Sequence, residues 1–114
     1  MKSITFFIVP RGARASLTDD GWIFASDMAL PPRVIDKVIS HFNVHLVEEY
    51  LGIRKFKNQQ TQISVVFNED GVPSEVSLRT APDDHVLESL RVLLADEAVD
   101  IVDSKSANVG GNFG

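Results

Sequence analysis

Residues 62–81, QISVVFNEDGVPSEVSLRTA, constrain the fold more than any other stretch of this chain. Ile63, Val65 and Phe67 alternate with Gln62, Ser64 and Val66, the period of a half-buried strand. Val76 and Leu78 repeat that alternation in a returning run. Between them lies Asn68-Glu69-Asp70-Gly71. Glycine tolerates positive φ, and Asn and Asp side chains bond their own backbone, so this is turn chemistry. The returning run leads straight into a helical pattern. The unit is a β-hairpin followed by a helix, and it carries no chemistry of its own.

Upstream, residues 3–9 read as a strand, β-branched and aromatic, ended by Pro10 and Gly12. Residues 21–25 form a second strand after Asp19-Asp20-Gly21, and the two are expected to pair as a hairpin across a longer loop. Pro31-Pro32 opens a helix, with Asp27 upstream as a candidate cap. Val34, Ile35, Val38, Ile39 and Phe42 share one face of a 3.6-residue period. Two continuations fit residues 44–50. The helix runs on through Leu46 and Tyr50 to stop at Gly52, or it ends at Asn43 and the segment becomes a strand. Residues 54–60, RKFKNQQ, read as a connection or a strand edge.

Thr80 is expected to cap the second helix, with Asp83 in the acidic position of a capping box. Val86, Leu87, Leu90, Leu93 and Leu94 make its buried stripe. Residues 98–102 return as a last short strand, and residues 104–114 have too little apolar surface to pack and read as a flexible tail. The expectation is therefore one α+β domain over residues 1–103. Its sheet is mostly antiparallel, with two helices on one face, in the order β-β-α-β-β-α with a closing β. If residues 21–25 are an insertion, the remainder has the β-α-β-β-α-β order of a ferredoxin-like sandwich.

The 114 residues include no cysteine, which excludes disulfides, thiolate metal sites and a cysteine nucleophile and fits a reducing cytosol. No apolar run approaches the roughly 18 residues that span a bilayer. The apolar stretch 4–9 behind Lys2 is shorter than a leader core and is crowded by Arg11 and Arg14, so a first strand explains it better. The net charge of −5 is unevenly spread. Residues 1–60 hold eight Lys and Arg against six Asp and Glu, and residues 61–114 hold three against ten. An acidic molecule does not wrap a polyanion, but an acidic half steers a basic partner.

Several groups of residues are candidate sites. Glu69, Asp70 and Glu75 surround the hairpin tip, and Asp83 and Asp84 begin the second helix; together they form the candidate partner-binding set. Arg54, Lys55, Phe56 and Lys57 interleave cations with an aromatic, the pattern that holds phosphates and stacks a base, and Arg11 and Arg14 join them if the loops converge. His41 and His45, four apart with Glu48 and Glu49 following, offer imidazole and carboxylate to a metal if the helix is continuous, although HExxH is missing. His85 stands at a helix mouth beside two aspartates, where a solvated residue is the simpler explanation. Neither GxSxG nor a glycine-rich phosphate loop occurs. Trp22, Phe24 and Tyr50 are aromatic anchors or core residues.

The balance favours a small cytoplasmic protein-binding domain without cofactor or catalytic residues. It would act as an inhibitor, immunity or adaptor factor on a basic protein partner, with a homo-oligomer also compatible. A nucleic-acid binder using residues 54–57 and a small metal-dependent enzyme using the histidines are the competing readings. The turn assignment has a direct test. Gly71→Val places a Cβ where positive φ is required and should cost about 1 kcal/mol or more in urea unfolding. An unchanged midpoint at unchanged slope rejects the turn.

Overall fold

The first strand is paired on both sides by segments distant in sequence. The computed structural model describes residues 3–19, 21–26, 28–81 and 85–103, with Gly21 and Trp22 described by their backbone alone. Strand β1 (Ile4–Pro10) is followed by β2 (Arg14–Thr18), β3 (Gly21–Ala25) and helix α1 (Pro32–Phe42). Four strands come next: β4 (His45–Tyr50), β5 (Ile53–Lys57), β6 (Thr61–Phe67) and β7 (Pro73–Thr80). Helix α2 (Val86–Leu93) and strand β8 (Val99–Asp103) complete the order. Six strands form one sheet in the order β4-β5-β6-β7-β1-β8, while β2 and β3 form a separate hairpin. Every pairing is antiparallel.

Register decides which residues share a face. Phe6 opposes Leu78, Ile8 opposes Val76, and those partners sit beside Ile63 and Val65. All six are buried in one core with Val34 and Val38 of α1 and Leu90 and Leu94 at the end of α2. Both helices therefore cover the same face, as the apolar stripes require. Each such aliphatic side chain contributes roughly 1.5–3 kcal/mol on burial. The alternate residues of β1 point the other way. Val9 is buried with Ala13 and Val102, and Phe7 and Phe24 pack against them with ring centroids 5.0 Å apart. The β2–β3 hairpin covers this second face only at its β1–β8 side. The radius of gyration is 13.3 Å, as expected for one compact domain of about 13 Å.

The hairpin of residues 62–81 forms with Gly71 at φ 77°, and Asn68 Oδ1 accepts from the backbone N–H of Asp70 and Val72. Three local expectations are corrected. Residues 3–9 do not pair with 21–25, because β1 is claimed by β7 and β8; the partner of β3 is β2, whose polar sequence RASLT gave no strand signal. Thr80 does not cap α2. It ends β7, where its buried hydroxyl shares a 2.9 Å hydrogen bond with that of Thr61, and α2 starts at Val86 with His85 in the cap position. Of residues 54–60, only 58–60 are a connection; 54–57 belong to β5 (Ile53–Lys57), an interior strand between β4 and β6 rather than an edge. The open question at 44–50 resolves as a strand, since Asn43 adopts the left-handed conformation (φ 54°) and stops α1. Asp27, Asp83 and the 104–114 tail lie outside the described residues.

One ion network fastens the helical layer to the start of β8. Glu97 is buried, yet its carboxylate accepts from Arg33 Nε at 2.8 Å and pairs with Lys37 Nζ at 2.8 Å, while Lys37 also reaches Asp96 at 3.2 Å. Arg11 donates to the Glu97 carbonyl, tying in the turn after β1. Lys37, and secondarily Arg33, hold the Glu97 carboxyl below its ordinary 4.5 against the opposing effect of burial, and Lys37 likewise lowers Asp96 below 3.8. Depressed carboxyl pKa values stabilise the fold above the unfolded-state pKa, and that stability is lost as pH falls through the folded one. Melting temperature should therefore hold from neutral pH to about 5 and drop below 4.5. Glu97→Gln should melt lower at pH 7 and lose less on acidification; an unchanged acid slope would refute this role.

Candidate functional site

Strand β4 lies at the edge of the six-stranded sheet, and all six of its residues are exposed. It exists because Asn43 turns the chain out of α1 and because residues 50–53 close a tight hairpin. Leu51 and Gly52 occupy the two central positions with φ of 48° and 78°. Positive φ at both is the primed turn that matches strand twist, usually built from Asn-Gly or Asp-Gly. Gly52 satisfies it without strain. A Cβ there would approach the Phe67 carbonyl oxygen at 3.2 Å. Leu51 does not fit so readily. A γ-branched apolar residue is held in the left-handed region, at a cost of roughly 1–2 kcal/mol, and is 91% exposed.

Leu51 does not stand alone. Leu46 (54% exposed), Val47 (56%) and Tyr50 (42%) are exposed apolar residues of the same strand, Leu46 opposite Phe56 on the helix-covered face and Tyr50 opposite Ile53 on the other. The pairing with β5 is interrupted between Leu46 and Glu48, leaving Val47 as the extra residue of a bulge. Glu49 is ion-paired with Arg54, and Lys55 lies over the Tyr50 ring at 5.5 Å. The backbone N–H of Phe67 donates to the Gly52 carbonyl at 2.8 Å. That bond sets the Leu51 turn beside the β6–β7 turn, which carries Glu69 and Asp70, both exposed. An apolar strand edge thus adjoins an acidic turn.

The other candidate residues are dispersed. Glu75 is not at the tip but on the sheet in β7, opposite Val66 and half-buried, and burial raises its carboxyl pKa above 4.5. Asp83 and Asp84 lie outside the described residues. The eight-residue strand β7 separates the Glu69–Asp70 turn from Ala81, about 23 Å at ~3.3 Å per residue. The basic run is divided by the strand pleat. Arg54 and Phe56 oppose Val65 and Ile63 on the helix-covered face, where Phe56 packs on the core and Arg54 stacks over Phe67 at 4.8 Å. Lys55 and Lys57 point to the other face beside Ser64 and Gln62. Arg11 and Arg14 do not join them, because β1 is three strands from β5, about 14 Å at ~4.8 Å per strand.

His41 lies in the last turn of α1 and His45 begins β4, so they share no helix face. Among the described residues, no group of three His, Asp or Glu side chains is placed to hold a metal ion. His85 lines an open groove of about 400 Å³ between the helices with His41, Glu88 and Val92. No described helix is long and apolar enough to cross a membrane. Leu46, Val47 and Leu51 were not singled out from sequence. The sequence signal for this turn is the pair Leu51-Gly52 between runs of six and five residues, which is weak because leucine is unusual in that turn. Comparison with protein-family models, with curated proteins and with solved structures finds no match to this chain.

The strained leucine is testable by itself. Asn tolerates left-handed φ, so Leu51→Asn should raise unfolding free energy by about 0.5–1 kcal/mol in urea. A destabilised variant would show that Leu51 is held for packing within the domain.

Proposed function

We propose that the protein is a small interaction domain that contacts another protein through β4 and the Leu51 turn, with Glu69 and Asp70 steering a basic partner. The observation that carries this reading is Leu51: apolar, exposed and held at positive φ, at the end of an apolar strand edge. Backbone strain of this kind concentrates at contact sites. An apolar edge also invites association, since its outer backbone groups have no strand partner among the described residues. The bulge at Val47 and the charges of Glu48 and Glu49 discourage indiscriminate pairing, which favours a specific partner over self-stacking. Apolar side chains on both sides of one strand edge, beside acidic ones, suit a partner that grips the edge with apolar contacts and a basic rim. An inhibitor, immunity or adaptor role acting in the cytoplasm accords with this, the last on the absence of cysteine.

The same reading extends to the fold. The order β6-β7-β1-β8, with α1 between β1 and β6 and α2 between β7 and β8, supports a ferredoxin-like core. On that view β2–β3 and β4–β5 are two added hairpins, and the second creates the contact edge.

A photo-crosslinking residue at Val47 would capture the partner, whose binding is then measured by surface plasmon resonance. Val47→Lys with Leu51→Lys should weaken affinity at least about tenfold, mostly through dissociation. Glu69→Lys with Asp70→Lys should slow association, and added salt should slow the wild type more than this variant. A partner bound equally by both double variants would sink the proposal. Loss of binding only in Lys55→Glu with Lys57→Glu would favour the nucleic-acid reading.

A further inference from the structure

At the end of the sheet remote from the Leu51 turn, three strands present a row of donors. Lys57 opposes Gln62 on β6, and Gln62 opposes Arg79 on β7, so all three side chains leave the same face. Adjacent strands lie ~4.8 Å apart, which sets the Lys57 and Arg79 stems about 10 Å from each other with Gln62 between. Both cations border a cavity of about 470 Å³ whose wall also includes Ser3, Asn58, Gln59 and Gln60. No described carboxylate lines it, and among the described residues neither cation has an acidic partner. The molecule as a whole is acidic, so the grouping is not a sample of its average surface.

The wall is braced. Asn58 Nδ2 donates to the Phe42 carbonyl at 2.7 Å, and its Oδ1 accepts from the backbone N–H of Gln60 and Thr61 at 2.8 Å each. This fixes the 58–60 turn that forms one rim. Beneath, the buried Thr61–Thr80 hydroxyl pair closes the strand ends. Arg79 Nε donates to Ser3 Oγ at 3.0 Å, which orients the guanidinium while its terminal nitrogens have no hydrogen-bond partner among the described residues. A planar fork opposite a lysine point charge, with amide donors between, matches a compact dianion with several oxygens.

We infer that this cavity binds the phosphate group of a small phosphorylated molecule between Lys57 and Arg79, with Gln62 and Ser3 as neutral donors. Its volume falls within the ~300–1,000 Å³ of small-ligand sites. A polyanion fits less well. Phe56 faces the opposite side of the sheet, Glu48 and Glu75 share the open face, and the net charge repels a nucleic-acid backbone. The site is independent of the protein-contact edge, from which it is separated by the length of β5 and β6.

The test is an amide-resolved NMR titration with inorganic phosphate, with adenosine monophosphate and with a single-stranded DNA dodecamer. Saturable shifts are expected at residues 57, 62 and 79 with the first two probes. Lys57→Gln and Arg79→Gln should each weaken binding of the monophosphate about tenfold, the size of a lost charge-assisted hydrogen bond. Lys55→Gln, one row away on the same face, should leave it within about twofold. The inference is overturned by unsaturable shifts, by equal weakening in Lys55→Gln, or by a dodecamer binding far more tightly than the monophosphate. Spectra of the free variants report folding, and Lys57→Gln, at an exposed position, decides the matter if Arg79→Gln fails to fold.

Discussion

Strand β1 holds two cores apart and together. Its even positions, Phe6 and Ile8, enter the core beneath the helices, and its odd positions, Phe7 and Val9, meet the β2–β3 hairpin on the other face. It is hydrogen-bonded to β7 on one side and β8 on the other. A strand buried on both faces reads as a nearly continuous apolar run, and residues 4–9 are such a run. Everything else is arranged around this demand. The two helices supply one cover, the hairpin supplies the other, and β8 must return after α2 to pair the remaining edge of β1.

That demand also explains what is left exposed. The hairpin covers only the β1–β8 side of the second face, so β5, β6 and β7 keep an open, largely polar surface. The pleat sends Lys55 and Lys57 to it together with Gln62, Ser64, Ser77 and Arg79. At the opposite flank the meander ends in β4, which no described strand covers on its outer side. Surface apolar residues are ordinary when scattered, but Leu46, Val47, Tyr50 and Leu51 are consecutive or nearly so along one edge. The two candidate surfaces occupy different ends of the sheet and make different chemical demands, one apolar with acidic flanks, the other cationic and concave.

Glu97 illustrates how such a small domain fixes the tilt of its layers. Aliphatic contacts between α1, α2 and the sheet are non-directional and tolerate sliding. A buried carboxylate with two cations from α1 does not, because each displacement leaves charge unpaired. The Arg11 contacts extend the same constraint to the turn that launches β2.

From sequence alone, periodicity identified the 62–81 hairpin, the apolar faces of both helices, the first strand and a last strand near 98–102. These features are local: a period of two or 3.6, a glycine where φ is positive, a proline at a helix start. The partner of β1 was not legible, because strand pairing is decided by which apolar faces meet across the chain. The polar β2 was missed for the same reason, since only its seat over Phe7 and Val9 makes it a strand. Residues 44–50 satisfied both periods, and the left-handed Asn43 settled the matter through tertiary burial of Val44. The candidate sites divide likewise. Composition revealed the acidic half and the basic run, but the pleat separated Lys55 and Lys57 from Arg54 and Phe56, and register brought Arg79 to Lys57 from 22 residues away. Charge is a property of the chain, whereas the company a charge keeps is set by the strand order and pleat of the folded sheet.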